Sequence, residues 1–426
     1  MIAVGEEVNA AIIDRARTAQ TRWGNTSLRD RLAVIRRIRN EIATSADALM
    51  EAFPLKLRAN RAERLAAELM PLADACRFLE QEASAVLAVR RRRARRTPFW
   101  LRGIALEERR DPVGFILLIG PANYPLFLPA VQALQALVAG NAVAVKPGRG
   151  GYDVMKTFEQ LTLRAGLPQD VLFTLGEDIG NAKSLIAHGV DKIILTGSAD
   201  TGRAVYRQAA ERLTPLTLEL SGFDPVFVQQ GADLRRASDA IRFGLSWNGG
   251  ETCIAPRRIF VASSVAERFE QTLRALVPEA GSLPVMRYQT DEQALALAAQ
   301  SHYALGASVF GPVESARAFA ARIPAGIVVV NDMIMPTADP RAAFGGRGQS
   351  GFGTTRGAEG LRQLTVTKTI LVQRKRRLRH LEVLPPHAEE LFKTYLHASC
   401  ATYLCERLRA SLRLFQVLAR GRRHAS

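Results

Sequence analysis

Apolar positions along this chain follow three different rhythms. From residue 1 to about 90 the spacing is helical: Leu28, Leu32, Ile35 and Ile38 fall on one face with Arg and Glu between them. Phe53-Pro54-Leu55 interrupts, and a second helical stretch runs through Leu65, Leu69, Leu72 and Phe78. A short segment ending Glu107-Glu108-Arg109-Arg110-Asp111-Pro112 reads as an extended hairpin outside the core. Between Val113 and Val145 there is no charged residue. Such a run is long enough to cross a membrane, since roughly 20 apolar residues suffice. Gly120-Pro121-Ala122-Asn123-Tyr124-Pro125 splits it, however, and Gln132, Gln135 and Asn141 lie inside it. A buried strand over Phe115–Ile119, a loop, a helix over Leu128–Val138 and a strand over Ala142–Val145 fit better.

Beyond Lys146-Pro147 come a helix, a strand over Val171–Leu175, another helix and a strand over Lys192–Leu195. Strands alternating with helices predict an α/β fold built on a parallel, doubly wound sheet. Thr196-Gly197-Ser198-Ala199-Asp200-Thr201-Gly202 follows the last strand and opens a helix. Glycines at such a turn let the backbone approach a pyrophosphate, and the helix N-terminus offers it free N–H groups. Past residue 372 a long helical pattern sets Leu391, Phe392, Tyr395, Leu396, Leu404, Leu408, Leu412, Phe415 and Leu418 on one side. Arg407, Arg413 and Arg420 add basic charge. Helices of this kind lie on anionic membrane surfaces or dock on their own body or a partner subunit, and docking is the favoured reading.

Length and composition narrow the picture. At 426 residues, with 47% hydrophobic and 23% charged residues, the chain is an ordinary globular protein of two domains plus extras. Cys76, Cys253, Cys400 and Cys405 show neither zinc spacing nor disulfide density, so no metal is expected and a reducing compartment fits. The first residues lack a basic start and an apolar run. No signal peptide is expected, and the location implied is cytoplasmic, at the inner face of a membrane if the tail binds one. The net charge of +17 gathers in clusters at Arg90 to Arg96 and Arg374 to Arg379. A solvated Arg-rich surface explains each cluster most simply, and without aromatic interleaving no nucleic-acid partner is expected.

Two runs carry candidate chemistry. Thr217-Leu218-Glu219-Leu220-Ser221-Gly222 ends a β-like stretch on a carboxylate. Asn248-Gly249-Gly250-Glu251-Thr252-Cys253-Ile254-Ala255-Pro256 sets one cysteine in a tight turn. A thiolate nucleophile there is open to substrate and to backbone donors, and a nearby glutamate would activate water.

Both runs resemble the Glu-Leu-Gly-Gly and Gly-Gln-x-Cys motifs of the aldehyde dehydrogenase superfamily. Gly120 to Pro125 is similar to its Pro-Trp-Asn-(Phe/Tyr)-Pro loop, and Ala139 to Pro147 to its Ala-Gly-Asn-x-Val-x-x-Lys-Pro run. Leu195 to Gly202 resembles its Phe-Thr-Gly-Ser-x-x-x-Gly turn. Phe344-Gly345-Gly346, Ser350 to Gly353, Gly357 to Leu361 and Lys368 resemble its C-terminal signature. The likeness runs from about residue 10 to 372. It implies a Rossmann-like dinucleotide-binding domain (1–96 and 113–219), a bridging hairpin (97–112) and a smaller α/β catalytic domain (220–372). A basic amphipathic helical tail (373–426) lies outside it.

The resemblance also assigns roles. Cys253 attacks the aldehyde carbonyl. Asn123, with the Cys253 backbone N–H, holds the oxyanion. Hydride passes to a nicotinamide, and Glu219 activates the water that releases a carboxylic acid. Lys146 contacts the adenine-side ribose, Gly197, Ser198 and Gly202 form the pyrophosphate turn, and Leu220 lies against the cofactor. The expected partners are a small-molecule aldehyde and, by resemblance, a second copy in a homodimer.

Several departures bear on these roles. Arg149 stands where the family prefers an acidic or small acceptor, which favours NADP over NAD because arginine pairs with a 2′-phosphate. Ser221 replaces a glycine. Glu251 replaces the glutamine before the cysteine and disfavours a thiolate unless it is turned away or paired. From Cys253 the chain reaches Leu283-Pro284-Val285-Met286-Arg287-Tyr288 in about 30 residues, where the family takes several times as many. Val277 to Gly281 stands in place of the run that steadies the nicotinamide ribose, and Glu279 is the only acidic residue there. A shortened, open site suits a bulky or lipid-derived aldehyde. The alternative reading is a catalytically weakened relative that binds nucleotide or serves as a scaffold.

Overall fold

The computed structural model describes residues 4–58, 60–92, 101, 103–278, 283–376, 378–381 and 383–423. Arg93 to Arg96, Pro98, Trp100, Glu279 and Arg377 therefore lie outside the described residues. The chain divides into two compact units, Met1–Arg90 with Glu108–Thr369, and Arg91–Glu107 with Ile370–Ser426.

In the first unit the uncharged run folds as strand, loop, helix, strand. Phe115–Ile119 and Ala142–Lys146 are parallel neighbours, and the helix between them spans Phe127–Ala139. Their sheet has the order Gly351–Phe352, Leu216–Glu219, Lys192–Thr196, Phe115–Ile119, Ala142–Lys146, Leu172–Thr174. All pairings are parallel except that of Gly351–Phe352, which crosses the strand ending on Glu219 in the opposite sense.

Side chains alternate across a strand, so a sheet covered on both faces needs apolar residues at every position. That is what Phe115–Ile119 supplies. Ile116 and Leu118 enter a core with the helices Leu28–Thr44, Met70–Val86 and Phe127–Ala139. Phe115, Leu117 and Ile119 enter the core on the opposite face, with the helices Ile179–His188 and Ala199–Ala210. The helix Phe127–Ala139 is buried at all thirteen positions, which accounts for its lack of charge. No described helix is long and apolar enough to cross a membrane.

The Ala-Gly-Asn run closes this helix. Gly140 adopts φ 93°, the left-handed conformation that favours glycine. Asn141 is fully buried. Its Oδ1 accepts from Gly114 N at 2.8 Å, and its Nδ2 donates to Ala136 O at 3.1 Å and Leu364 O at 2.9 Å. One side chain thus ties a strand, a helix end and a segment over two hundred residues away.

A second sheet in the same unit is wholly parallel, ordered Val285–Tyr288, Pro256–Ala262, Asp224–Val228, Gly306–Phe310, Ile327–Val330. The shortened stretch after Cys253 is one crossover: strand Pro256–Ala262, helix Ala266–Leu276, then the edge strand Val285–Tyr288. Arg90–Arg92, Ile104–Pro112 and Thr365–Gln373 are further strands.

In the second unit the helices Ala388–Cys400 and Leu404–Arg423 fold back on each other across residues 401–403, with Thr394 and Val417 buried. The Arg413 guanidinium meets the Glu390 carboxylate at 2.9 Å.

Asn141→Ala removes the side-chain partners of Gly114 N and Leu364 O, while Ala136 O keeps the Asn141 backbone N–H. The substitution should cost about 3 kcal/mol, seen as a lower urea midpoint by circular dichroism.

Candidate active site

Cys253 owes its position to a turn of unusual backbone. Asn248 (φ 54°), Gly249 (φ 62°) and Gly250 (φ 72°) are consecutive left-handed residues. A Cβ on Gly249 would meet nothing within 4 Å, so its glycine answers to the backbone conformation alone. The turn is fastened from several sides. Asn248 N donates to Glu63 Oε1 at 2.7 Å, and Asn248 Nδ2 to the Asn123 carbonyl at 2.9 Å. Asn123 Nδ2 donates in return to the Glu251 carbonyl at 2.6 Å, and Tyr124 Oη lies 2.9 Å from Thr252 Oγ1. The loop after the strand Phe115–Ile119 and the loop before the strand Pro256–Ala262 are thereby locked together. The Glu251 side chain points to Lys56 Nζ at 2.7 Å, so this carboxylate is paired.

Glu219 ends its strand and is buried. Its Oε2 accepts from Thr355 Oγ1 at 3.2 Å, while Oε1 has no hydrogen-bond partner among the described residues. Gly222 brings this strand end close to the cysteine, because a Cβ there would lie 2.5 Å from the Cys253 carbonyl. Cys253 and Glu219 line one pocket of about 60 Å³, walled mainly by Tyr124, Phe127, Leu128, Trp247, Ile334 and Phe344.

Arg356 lines the same pocket, and the sequence reading passed over it. Its guanidinium is buried, lies over the Phe344 ring at 4.5 Å from the centroid, and donates from an Nη to the Thr337 carbonyl at 2.7 Å. Its Nε has no partner among the described residues. The signal available in the sequence was one cation within a run of Gly, Ser and Thr between Ser350 and Gly357.

These charges decide the ionisation of the thiol. Although Cys253 is partly accessible, the protein packed around its sulfur pushes the thiol pKa well up. The carboxylates of Glu219 and Asp224 push it further, while Arg356 and the residue's own backbone N–H pull it back. Burial also raises the Glu219 carboxyl, against the opposing pull of Arg356 and Thr355.

The helical region before residue 90 also reaches the site. In the structure Lys56 and Glu63 hold the cysteine turn, and the buried Glu68 accepts the N–H groups of Leu126 and Phe127 at 3.3 and 2.6 Å at the start of the helix Phe127–Ala139.

The residues expected to hold a cofactor gather at the edge of the first sheet. Ser198 caps the helix Ala199–Ala210, taking Thr201 N at 3.2 Å, and Gly197 N donates to the Glu219 carbonyl at 3.0 Å. A Cβ on Gly202 would lie 2.7 Å from a Leu220 methyl, so helix and strand meet there without a side chain between them. Lys146 ends its strand half-buried. Burial lowers its pKa, and Glu177 and Asp178 counter that. Arg149 is exposed and makes no ion pair with a described residue. The N-terminus of the helix Ala199–Ala210 follows a strand of the same sheet that Lys146 ends, and N–H groups at such a helix start suit a dinucleotide phosphate.

Comparison with known proteins places this arrangement. A sequence model described as "Aldehyde dehydrogenase family" matches residues 3–281 and 282–370. The chain belongs to the aldehyde dehydrogenase family. It is similar to a 4,4'-diapolycopene aldehyde oxidase of a Methylomonas species, 26% identical over 459 residues that cover 90% of this chain and 86% of that one. It is also similar to a putative succinate-semialdehyde dehydrogenase [NADP(+)] of Mycolicibacterium smegmatis, 31% identical, covering 63% of this chain and 51% of the relative. The structure of a Mycobacterium tuberculosis aldehyde dehydrogenase complexed with NAD+ superposes with a TM-score of 0.79 at 24% identity, covering 88% of this chain and 92% of that one. The expected α/β fold and oxidoreductase class both hold at the level of the family.

The opposed charges on Cys253 predict two alkylation profiles of opposite sign. Glu219→Gln removes a negative charge and should move iodoacetamide alkylation of Cys253 to lower pH, whereas Arg356→Met should move it higher. A shift of about one pKa unit is about a tenfold change in thiolate at neutral pH, readable by the mass of the Cys253 peptide against time, apart from the exposed Cys400 and Cys405.

Proposed function

We propose that the chain oxidises a bulky, apolar aldehyde to its carboxylic acid with NAD or NADP as the electron acceptor. The observation that carries this reading is the shared pocket, in which Cys253 and Glu219 stand among Tyr124, Phe127, Leu128, Trp247 and Phe344. Two relatives, from Methylomonas and Cytobacillus firmus, bear names that place them on diapolycopene aldehydes, which supports an apolar substrate here.

Cys253 Sγ adds to the carbonyl carbon as a thiolate, and the carbonyl π pair moves onto oxygen. The Asn123 amide has two N–H bonds. One is committed to the Glu251 carbonyl, and the other is left to hold that oxygen together with the Cys253 backbone N–H. Arg356, without touching the sulfur, offsets part of the negative charge that Glu219 and the thiolate would otherwise share. The bound nicotinamide supplies the two-electron sink for the hydrogen on the substrate carbon. Glu219 Oε1, unpartnered among the described residues, takes a proton from water as that water displaces sulfur and releases the acid.

Gly197, Ser198 and Gly202 would hold the pyrophosphate, with Leu220 packed beneath the turn and Lys146 at the adenine-side ribose. Arg149, exposed and unpaired among the described residues, would meet a 2′-phosphate, so NADP is the preferred partner.

Purified protein mixed with short, aromatic and long apolar aldehydes should raise reduced-cofactor absorbance with the apolar members, and Cys253→Ala should abolish the signal. Silence across the panel with nucleotide binding intact would instead favour a weakened, scaffold-like relative. Glu219→Gln should slow acyl release by about 100-fold or more, leaving a covalent acyl-enzyme visible by mass. Arg149→Glu should raise the KM for NADP by about tenfold, the equivalent of about 1.4 kcal/mol, and leave that for NAD little changed.

A further inference from the structure

The chain carries its charge unevenly. Residues 91–107 and 370–426, the second compact unit, hold 18 Lys and Arg against 5 Glu, or +13 of the total +17 in 74 residues. The remaining 352 residues amount to only +4.

The same unit leaves a row of large apolar side chains in solvent. On the helix Leu404–Arg423, Leu404, Leu408, Leu412 and Phe415 are 70%, 58%, 67% and 76% exposed. Steps of four, four and three residues put them on one stripe. Arg407 and Arg409, next to Leu408 in sequence, fall about 100° to either side of it, so the stripe has a basic flank on both edges. On the companion helix Ala388–Cys400, Phe392 and Leu396 are likewise exposed and four residues apart. The faces that pair these two helices are used elsewhere, through Thr394 and Val417.

We propose that this helical hairpin is a docking surface for an anionic lipid membrane. An apolar stripe between arginines enters the acyl boundary while the cations meet phosphate headgroups. Nucleic acid would satisfy the charge but has no place for exposed Leu and Phe. A second copy of the chain would cover the apolar stripe but oppose +13 with +13. An anionic bilayer satisfies both.

The test uses the full chain and needs no turnover, so its result is independent of the oxidation reading. Sedimentation with vesicles of phosphatidylcholine alone, or with added phosphatidylglycerol, should show association about tenfold stronger with the anionic vesicles. Leu408→Glu with Leu412→Glu should weaken it by about tenfold with the melting temperature unchanged, and Arg407→Ser with Arg409→Ser should weaken it independently. Four results would overturn the proposal: no association with anionic vesicles; association that survives the Glu pair; RNA that displaces the vesicles; or light scattering in which the Glu pair halves the particle mass, placing a second copy on this face.

Discussion

The reciprocal clamp between Asn123 and the cysteine turn is the constraint on which the site depends. Asn123 gives its amide to the Glu251 carbonyl and takes the Asn248 amide on its own carbonyl, at 2.6 and 2.9 Å. Each such bond contributes only about 1 kcal/mol. Their importance is positional, because Asn123 follows a strand of one sheet and Cys253 precedes a strand of the other. Any slip between the sheets would separate Asn123 from the turn that carries Cys253. Lys56 and Glu63 secure the far side of the turn, so three separate parts of the chain fix one residue.

Around that fixed point the electrostatics are balanced rather than permissive. Packed protein and two carboxylates resist a thiolate, while a buried guanidinium and the residue's own backbone N–H favour it. Arg356 is itself held at an unusual backbone angle (φ 59°) and over an aromatic ring, so its charge cannot swing away. Glu251 stands next but one to the cysteine, yet its side chain is directed outward to Lys56.

Much of the framework could be read from the residues. The uncharged run resolved into strand, helix and strand because Gly120 to Pro125 breaks its period, and the helix lies within one residue at each end of where periodicity put it. The turns bearing Gly197 and Cys253 stood out because Gly and Asn concentrate where a backbone must bend sharply. What stayed hidden are pairings over long separations. Asn248 with Glu63 spans 185 residues and Lys56 with Glu251 spans 195, and no local pattern reports such a partner. Arg356 was hidden for a different reason. A single cation in a glycine-rich segment reads as a solvated loop, and only the packing of Phe344 and Thr337 around it reveals a buried charge.

The short antiparallel strand Gly351–Phe352 has a consequence for how the protein is made. It lies across the strand that ends on Glu219, and Phe344, Thr355 and Arg356, all from the same late stretch, complete the wall around Glu219 and Cys253. A ribosome translating this message finishes every strand of the second sheet before it reaches residue 344. Cys253 and its strand are therefore synthesised about a hundred residues ahead of the cation that pulls its thiol pKa down. A chain cut short before residue 344 would hold Cys253, Glu219 and Asp224 but lack Arg356, so its thiol would be harder to ionise than that of the finished protein.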